Sequence, residues 1–303
     1  MARVLSTTEG THRGAFTPAD WLAFGSIGLI WGSSFVLISI GLEAFEPGLV
    51  TWLRVIGGAL ALSLLPAGRT PIDRADLPRL VAMSLLWVAI PFTLFPLAQQ
   101  HVSSAVAGML NGGLPVVAAI IGSIMLRRLP TPVHLAGLVL GSAGVAAIAI
   151  SAAGESSSEA IGVVMLLVAV LCYGVAINIA APLQQRYGAV PVMARMLAFA
   201  AVFTAPFGLV SVPGSRFAWA SLAAVAVLGV VGTGLAFALM GRLVGRVGGT
   251  RAAFATYLVP VVALILGTVL RDEVVAAAGV AGIAMVIAGA ALASRPDRTE
   301  TSV

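Results

Sequence analysis

The sequence contains few charged residues and no lysine. Only 10% of its 303 residues are charged, against about 25% in an ordinary soluble domain. All 17 basic residues are arginines. So few charges cannot cover the surface of a soluble protein of this length, which excludes a soluble enzyme or a soluble binding domain. The single cysteine, Cys172, has no partner in the chain for a disulfide.

Motifs for metal, nucleotide and nucleic-acid binding are absent as well. The three histidines, His12, His101 and His134, form neither an HExxH motif nor a cluster with cysteine, so we expect no metal. No Walker A motif occurs, so ATP is not expected as the energy source, and no cofactor is predicted. The arginines are spread over short loops instead of forming a basic stripe, and no nucleic-acid partner is predicted.

Long apolar blocks make up most of the chain. Hydrophobic residues account for 59% of the sequence, and the blocks are close to the ~20 residues that a helix needs to cross a bilayer. They show no strict alternation, so helices are predicted. The sequence therefore predicts an all-α polytopic membrane protein with ten transmembrane helices. The predicted helices cover residues 20–41, 48–66, 77–98, 103–126, 132–152, 160–181, 191–211, 217–240, 248–270 and 274–294.

The distribution of arginine predicts the orientation. Most arginines lie in the two tails, 1–19 and 295–303, and in the loops after the even-numbered helices. Cytoplasmic loops of membrane proteins carry an excess of basic residues. We therefore expect a multi-pass protein of the cytoplasmic membrane with both tails in the cytoplasm, which requires an even number of helices.

The two halves of the chain resemble each other. Residues 107–118 and 252–263 share an alanine-rich pattern that leads to a proline, at an offset of 145 residues. This repeat divides the chain into units 20–152 and 160–294, each with five helices. Because five is odd, the second unit must be inverted relative to the first. Inverted repeats are typical of secondary transporters, whose substrate site lies between the halves near the midplane.

Several of these residues resemble a known family. The segment 31–35 reads Trp-Gly-Ser-Ser-Phe, Arg54 follows in the second helix, and the alanine-rich stretches lead to Pro115 and Pro260. Over about residues 20–294 the chain resembles the EamA-type branch of the drug/metabolite transporter superfamily. This resemblance implies export or exchange of small metabolites, often amino acids or related polar compounds.

The resemblance also implies a glutamate about 13 residues after each proline. Glu273 fits this pattern in the second half, but Arg128 stands at that place in the first. The difference leaves open whether the glutamate has a shared role in both halves.

Prolines within the predicted helices suggest where the cavity lies. A proline leaves the carbonyl four residues earlier without its helical partner, so Pro115 frees the carbonyl of Asn111 and Pro260 frees that of Thr256. One interpretation is that Asn111, Thr256 and the adjacent Tyr257 line a substrate cavity. The other is that these prolines make structural kinks, with Asn111 bonded to a neighbouring helix.

Other interruptions occur at matching places in the two halves. The third helix contains Pro91 and Pro96, and the eighth contains Gly232 and Gly234. Broken helices at corresponding positions predict a moving gate or a binding site. The alternative is that glycine and proline are simply frequent in membrane helices.

Arg54 is the most unusual charge, because it lies about two turns inside the second helix. A charge at that depth is costly and predicts a function. It could bind a substrate carboxylate through two parallel hydrogen bonds, or it could pair with Glu43 or Glu46 at the end of the first helix.

Aromatic and small polar residues complete the predicted cavity. Trp31 and Tyr173 each lie in mid-helix before a glycine and are related by the repeat, and Asn178 lies one turn after Gly174. Ser34 of the opening segment joins them. No Asp or Glu lies in the middle third of any predicted helix. We therefore expect facilitated export, or coupling through the helix-end groups Glu43, Glu46 and Glu273.

Together these patterns predict a secondary transporter that exports small polar or amphipathic metabolites, such as amino acids, by alternating access. A multidrug or organic-cation efflux carrier is the alternative within the same fold. An intramembrane enzyme is the alternative of another class, but no nucleophile and base are apparent. The expected partners are a small-molecule substrate and the lipid bilayer, and a monomer and a dimer both remain open.

Overall fold

The structure, a computed structural model, describes residues 8, 11–12, 16–127, 132–153 and 157–293, and within them it contains helices and turns but no β-strand. Arg128 and most of both tails lie outside the described residues. Each of the ten predicted blocks contains a helix. The helices are α1 Pro18–Leu42, α2 Pro47–Ser63, α3 Arg74–Ala98, α4 Ser104–Leu126, α5 Pro132–Ala153, α6 Ser157–Tyr187, α7 Ala189–Val210, α8 Trp219–Val247, α9 Arg251–Arg271 and α10 Ala277–Ala293.

The prediction of an all-α polytopic membrane protein is confirmed. Within the described ranges, eight of these helices are long and apolar enough to cross a membrane. The remaining two, α2 and α10, are apolar helices of 17 residues each. At about 1.5 Å per residue they extend about 26 Å, slightly less than the ~30 Å hydrocarbon layer.

The contacts between helices follow the same plan in both halves. Three contacts join equivalent helices: α2 with α7, α4 with α9, and α5 with α10. In addition, α1 packs against α8 and α9 of the other half, just as α6 packs against α3 and α4. This pattern is the one expected if the two halves are related by an approximate two-fold axis.

Irregular backbone also occurs at matching positions. Helices α3 and α8 each contain one stretch of π-helix, at Ser84–Ala89 and Val230–Leu235. Helices α4 and α9 end on a residue in the left-handed conformation, Arg127 with φ 52° and Asp272 with φ 50°. Left-handed conformations are uncommon for residues other than glycine. Their occurrence 145 residues apart therefore shows that both halves follow the same path at this point.

The predicted helix breaks lie at these irregular segments. Pro91 directly follows the π-helix of α3, whereas Pro96 lies within the last, regular part of that helix. Gly232 and Gly234 lie inside the π-helix of α8. Pro115 begins the second part of α4 after a turn at residues 112–113, and Pro260 follows a 3₁₀ segment, Phe254–Tyr257. Their role as gates remains a prediction.

Helices α5 and α10 pack through glycines at the edge of the bundle. A side chain on Gly144 would meet the carbonyl oxygen of Gly282 at 2.6 Å, and one on Gly289 would meet backbone atoms of Gly137 and Gly141. Gly137 and Gly141, one turn apart, therefore allow α10 of the same chain to pack closely against α5. Neither helix contributes to the cavity described next.

Candidate functional site

A cavity lies between the two halves, and six helices line it. The volume that a water-sized sphere can occupy in it is about 30 Å³, room for about two water molecules. A small molecule can therefore bind only after the lining helices move apart. Helices α1 to α4 contribute from the first half, and α6 and α8 contribute from the second. The lining residues are Trp31, Ser34, Phe35, Ile38, Arg54, Trp87, Phe92, Phe95, Asn111, Leu114, Tyr173 and Phe237.

Five of the residues predicted to bind substrate lie together in this cavity. They are Trp31, Ser34, Arg54, Asn111 and Tyr173. Their convergence follows from the packing of α1 and α6 against helices of the opposite half. Their role in binding a substrate remains a prediction.

Arg54 is buried at the cavity wall, with 5% of its surface exposed. Its Nε donates a 2.9 Å hydrogen bond to the hydroxyl of Thr233 on α8. Its guanidinium carbon lies 3.6 Å from the centre of the Phe92 ring, a cation–π contact. Among the described residues, no carboxylate forms an ion pair with it. The charge is therefore held in place without being neutralised.

The alternative in which Arg54 pairs with Glu43 or Glu46 is wrong. Glu43 forms an ion pair with Arg271 at the end of α9. The side chain of Glu46 lies beside Gly214, in the loop between α7 and α8. Both glutamates are at the helix ends, whereas the side chain of Arg54 is directed towards α8, so the two groups do not meet.

The π-helix of α8 provides two of the polar contacts around the cavity. Thr233 accepts the hydrogen bond from Arg54 and donates its own hydroxyl proton to the carbonyl of Leu228, at 3.0 Å. The indole nitrogen of Trp31 donates to the carbonyl of Gly232, also at 3.0 Å. Sequence reasoning selected Gly232 and Gly234 but missed Thr233 between them. A hydroxyl flanked by glycines in a membrane helix was the available signal.

Asn111 ends the first part of α4 and faces the cavity. Its side-chain oxygen, Oδ1, is buried and accepts no hydrogen bond from the described residues. This observation removes the alternative in which Asn111 bonds to a neighbouring helix. A buried acceptor without a donor costs about 1–3 kcal/mol, and a ligand that supplied an N–H group would recover part of that free energy.

Aromatic rings form most of the remaining wall in two groups. We call the first the Phe237 cluster, in which the rings of Trp31, Trp87 and Phe92 lie 5.5–5.8 Å from that of Phe237. The second, the Phe95 cluster, comprises Phe35 and Tyr173 at 5.4 Å and 5.9 Å from the ring of Phe95. Of these rings, the sequence predicted Trp31 and Tyr173 for the cavity, and it did not identify the aliphatic residues Ile38 and Leu114.

Three predicted site residues lie outside the cavity lining. The side-chain nitrogen of Asn178 donates to the carbonyls of Ala118 and Gly174, so it joins α6 to α4. Thr256 is fully buried and donates to the carbonyl of Ala253 in its own helix. The ring of Tyr257 stacks on that of Phe254. These hydrogen bonds and ring contacts are structural, and none of the three side chains lines the cavity.

Glu273 has a clear structural partner. Its carboxylate accepts hydrogen bonds from the backbone N–H groups of Ser104 and Ala105 and from the Ser104 hydroxyl. These groups form the amino end of α4, where a negative charge is favoured by the unpaired N–H groups and the helix dipole. Glu273 therefore caps α4 from the end of α9. Arg128, the residue at the matching place in the first half, lies outside the described residues.

Within the residues that the structure describes, no cluster of His, Cys, Asp or Glu could hold a metal ion. The ionisable group of the cavity wall is thus Arg54, together with the phenol of Tyr173. The arrangement can bind a small molecule between a cation, an open amide oxygen and aromatic rings.

Comparison with known proteins identifies relatives of this chain. It is 30% identical over 271 residues to a probable terminal-alkyne amino-acid exporter of Streptantibioticus cattleyicolor, covering 88% of this chain and 90% of that protein. It is 26% identical over 249 residues to an uncharacterised transporter of Bacillus subtilis, covering 80% and 85% of the two chains. A shorter match, 32% identical over 115 residues, covers 37% of this chain and 35% of an S-adenosylmethionine/S-adenosylhomocysteine transporter of Chlamydia trachomatis.

A solved crystal structure has the same fold. It superposes with a TM-score of 0.67 at 21% sequence identity, over 95% of this chain and 99% of that one. The model of the EamA-like transporter family matches residues 18–150 and again residues 160–295. With both halves matched, the chain belongs to the EamA-like transporter family.

Proposed function

We propose that this protein is a secondary transporter that exports small amphipathic metabolites, amino acids or closely related zwitterions, across the cytoplasmic membrane. It works by alternating access between two inverted five-helix repeats, with both termini in the cytoplasm. The observation that carries the proposal is the presence of two groups in one cavity. Arg54 is a buried cation without a carboxylate partner among the described residues, and Asn111 has a buried Oδ1 without a hydrogen-bond donor.

Arg54 and Asn111 complement the carboxylate and the ammonium group of an amino acid. The Phe92 ring covers one face of the Arg54 guanidinium, and Nε donates to Thr233. The two terminal nitrogens, Nη1 and Nη2, can therefore donate hydrogen bonds to a ligand. A carboxylate can accept two parallel hydrogen bonds from that edge. An ammonium group can donate to Asn111 Oδ1, and the aromatic rings can hold its charge from the side.

The direction of transport and the orientation in the membrane are inferred from different sources. The relative from Streptantibioticus cattleyicolor is named an exporter of an amino acid. The arginine-rich loops favour a cytoplasmic location for both tails. An intramembrane enzyme gains no support, since the known relatives are transporters.

Efflux of organic cations, the other candidate within this fold, is disfavoured by Arg54. At about 6 Å and an effective dielectric constant of about 20, two positive charges repel by about 3 kcal/mol. This energy corresponds to about a 100-fold weaker affinity. We therefore expect no protection of cells against ethidium or similar cationic dyes.

An export assay tests the proposal. Bacterial cells that overproduce the protein are given dipeptides that they hydrolyse internally, and extracellular amino acids are measured by mass spectrometry. The wild type should enrich at least one amino acid outside about tenfold, whereas Arg54→Gln and Asn111→Trp should not. Arg242→Gln, which alters an exposed arginine of α8, is the matched control and should export normally. Full export by Arg54→Gln would overturn the proposal.

A further inference from the structure

Beyond Arg54, Asn111 and Ser34, the cavity lining consists of aromatic and aliphatic side chains. Phe237 and its ring neighbours form one side, and Phe95 and its ring neighbours form the other. Ile38 and Leu114 add aliphatic surface. A substrate anchored at its carboxylate and ammonium must therefore place the rest of its atoms against aromatic and aliphatic carbon.

Two of the remaining polar groups are already engaged. The Ser34 hydroxyl donates to the carbonyl of Ile30 in its own helix. The Trp31 indole nitrogen donates to Gly232. No acidic side chain is among the cavity-lining residues of the described chain. On these walls the hydroxyl of Tyr173 and the indole N–H of Trp87 are the polar groups left for a substrate. A charged or amide-bearing substrate side chain would therefore lose more hydrogen bonds to water than it could regain.

We infer that the substrates are α-amino acids with apolar side chains, linear or aromatic, and that the cavity rejects amino acids with acidic, basic or amide side chains. This inference rests on the proposed function and adds the chemistry of the side-chain pocket. Arg54 and Asn111 select the amino-acid backbone, whereas the Phe237 and Phe95 clusters select the side chain by desolvation.

A homologous series measures the selection directly. The purified protein in lipid nanodiscs binds tritiated L-norleucine, and unlabelled glycine, L-alanine, L-2-aminobutyrate, L-norvaline and L-norleucine compete. Burial of one methylene group contributes about 0.8 kcal/mol, so each added carbon should raise affinity about fourfold.

L-glutamine has a side chain of nearly the same length as that of L-norleucine. It should bind at least about tenfold more weakly, because its amide is buried without partners. L-glutamate and L-lysine should not compete at equal concentrations.

A variant of the wall provides a second measurement. Leu114→Asn introduces an amide beside the substrate side chain, so the affinity ratio of L-norleucine to L-glutamine should fall about tenfold. Affinity for glycine, which has no side chain, should stay the same and shows that the variant is folded. Leu97→Asn makes the same substitution on a half-buried position of α3 outside the lining and should leave the ratio unchanged.

The outcomes separate this inference from the proposed function. Equal competition by L-glutamine and L-norleucine, with export of amino acids intact, would overturn the apolar selectivity alone. Flat affinity from glycine to L-norleucine would do the same. Failure of every amino acid to bind, together with no export from cells, would remove the proposed function and this inference with it.

Discussion

Arg54 carries a buried positive charge that, among the described residues, has a hydroxyl as its hydrogen-bond partner and an aromatic ring against its face. Such contacts orient a guanidinium, but they replace little of the hydration that burial removes. A ligand carboxylate would complete the set of partners. The same reasoning applies to Asn111, whose side-chain oxygen lacks a donor. At the scale of single residues, the protein thus accepts a stability cost where a substrate would bind.

This cost predicts a gain in stability on removing the charge. Replacing Arg54 by methionine, of similar length, should raise the free energy of unfolding by about 1 kcal/mol or more, since apolar replacements of buried ionic groups are often stabilising. Thermal unfolding in detergent should then shift upward by about 2–4 °C, while export is lost. A midpoint lowered by several degrees would show that Arg54 stabilises the empty protein.

Asn111 should act on the ammonium and not on the carboxylate. Asn111→Leu removes the acceptor at nearly constant volume, and we expect about tenfold weaker binding of L-norleucine. Binding of hexanoate, which has the carboxylate but no ammonium, should stay the same. Competition binding on both compounds checks this difference. A parallel loss for both compounds would assign Asn111 to the shape of the cavity instead.

At the scale of helices, the π-helices of α3 and α8 are the elements that shape the site. The π-helix Val230–Leu235 places Thr233 opposite Arg54 and brings the carbonyl of Gly232 to Trp31. π-Helical turns occur often at functional sites because the widened turn frees backbone groups and redirects side chains. Thr233 can approach α2 closely because Gly58, which has no side chain, leaves room for the methyl group of Thr233.

Thr233→Val tests the connection between this element and the site. Valine keeps the branched shape but cannot accept the hydrogen bond from Arg54, so the guanidinium loses one of its two anchors. We expect the KM for export to rise about tenfold, the value for one hydrogen bond to a charged group. Thr204→Val is the matched control, because Thr204 is equally buried but bonds only to Ala200 within α7. An unchanged KM in Thr233→Val would show that Phe92 alone positions Arg54.

At the scale of the whole molecule, the two halves share their contacts, their π-helices and their left-handed helix ends. The site itself is not symmetric. Arg195, near the place in α7 that matches Arg54, donates to backbone carbonyls of the loop at residues 68–70. One half therefore supplies the cation of the site, and the other half uses its arginine to hold a loop at the end of the bundle.

The single cysteine makes the orientation in the membrane easy to test. In a Cys172→Ala background, Val274→Cys lies in the loop between α9 and α10 and Thr70→Cys in the loop between α2 and α3, and both positions are exposed. With cytoplasmic termini, a membrane-impermeant maleimide should label Val274→Cys in intact spheroplasts. It should label Thr70→Cys only after permeabilisation. The reverse pattern would place both termini outside.

The apolar blocks by themselves predicted the all-α class and the approximate positions of the described helices, because a hydrocarbon layer requires helices of about 20 apolar residues whatever their neighbours. Local rules likewise located Pro91, Pro115 and Pro260 beside irregular backbone, since proline lacks the N–H group of a regular helix. Which side chains face one another depends on helix rotation and on contacts between residues far apart in sequence. Only the tertiary structure shows that Arg54 contacts Thr233, which lies 179 positions later in the sequence. Only it shows that Asn178, Thr256 and Tyr257 lie outside the cavity lining.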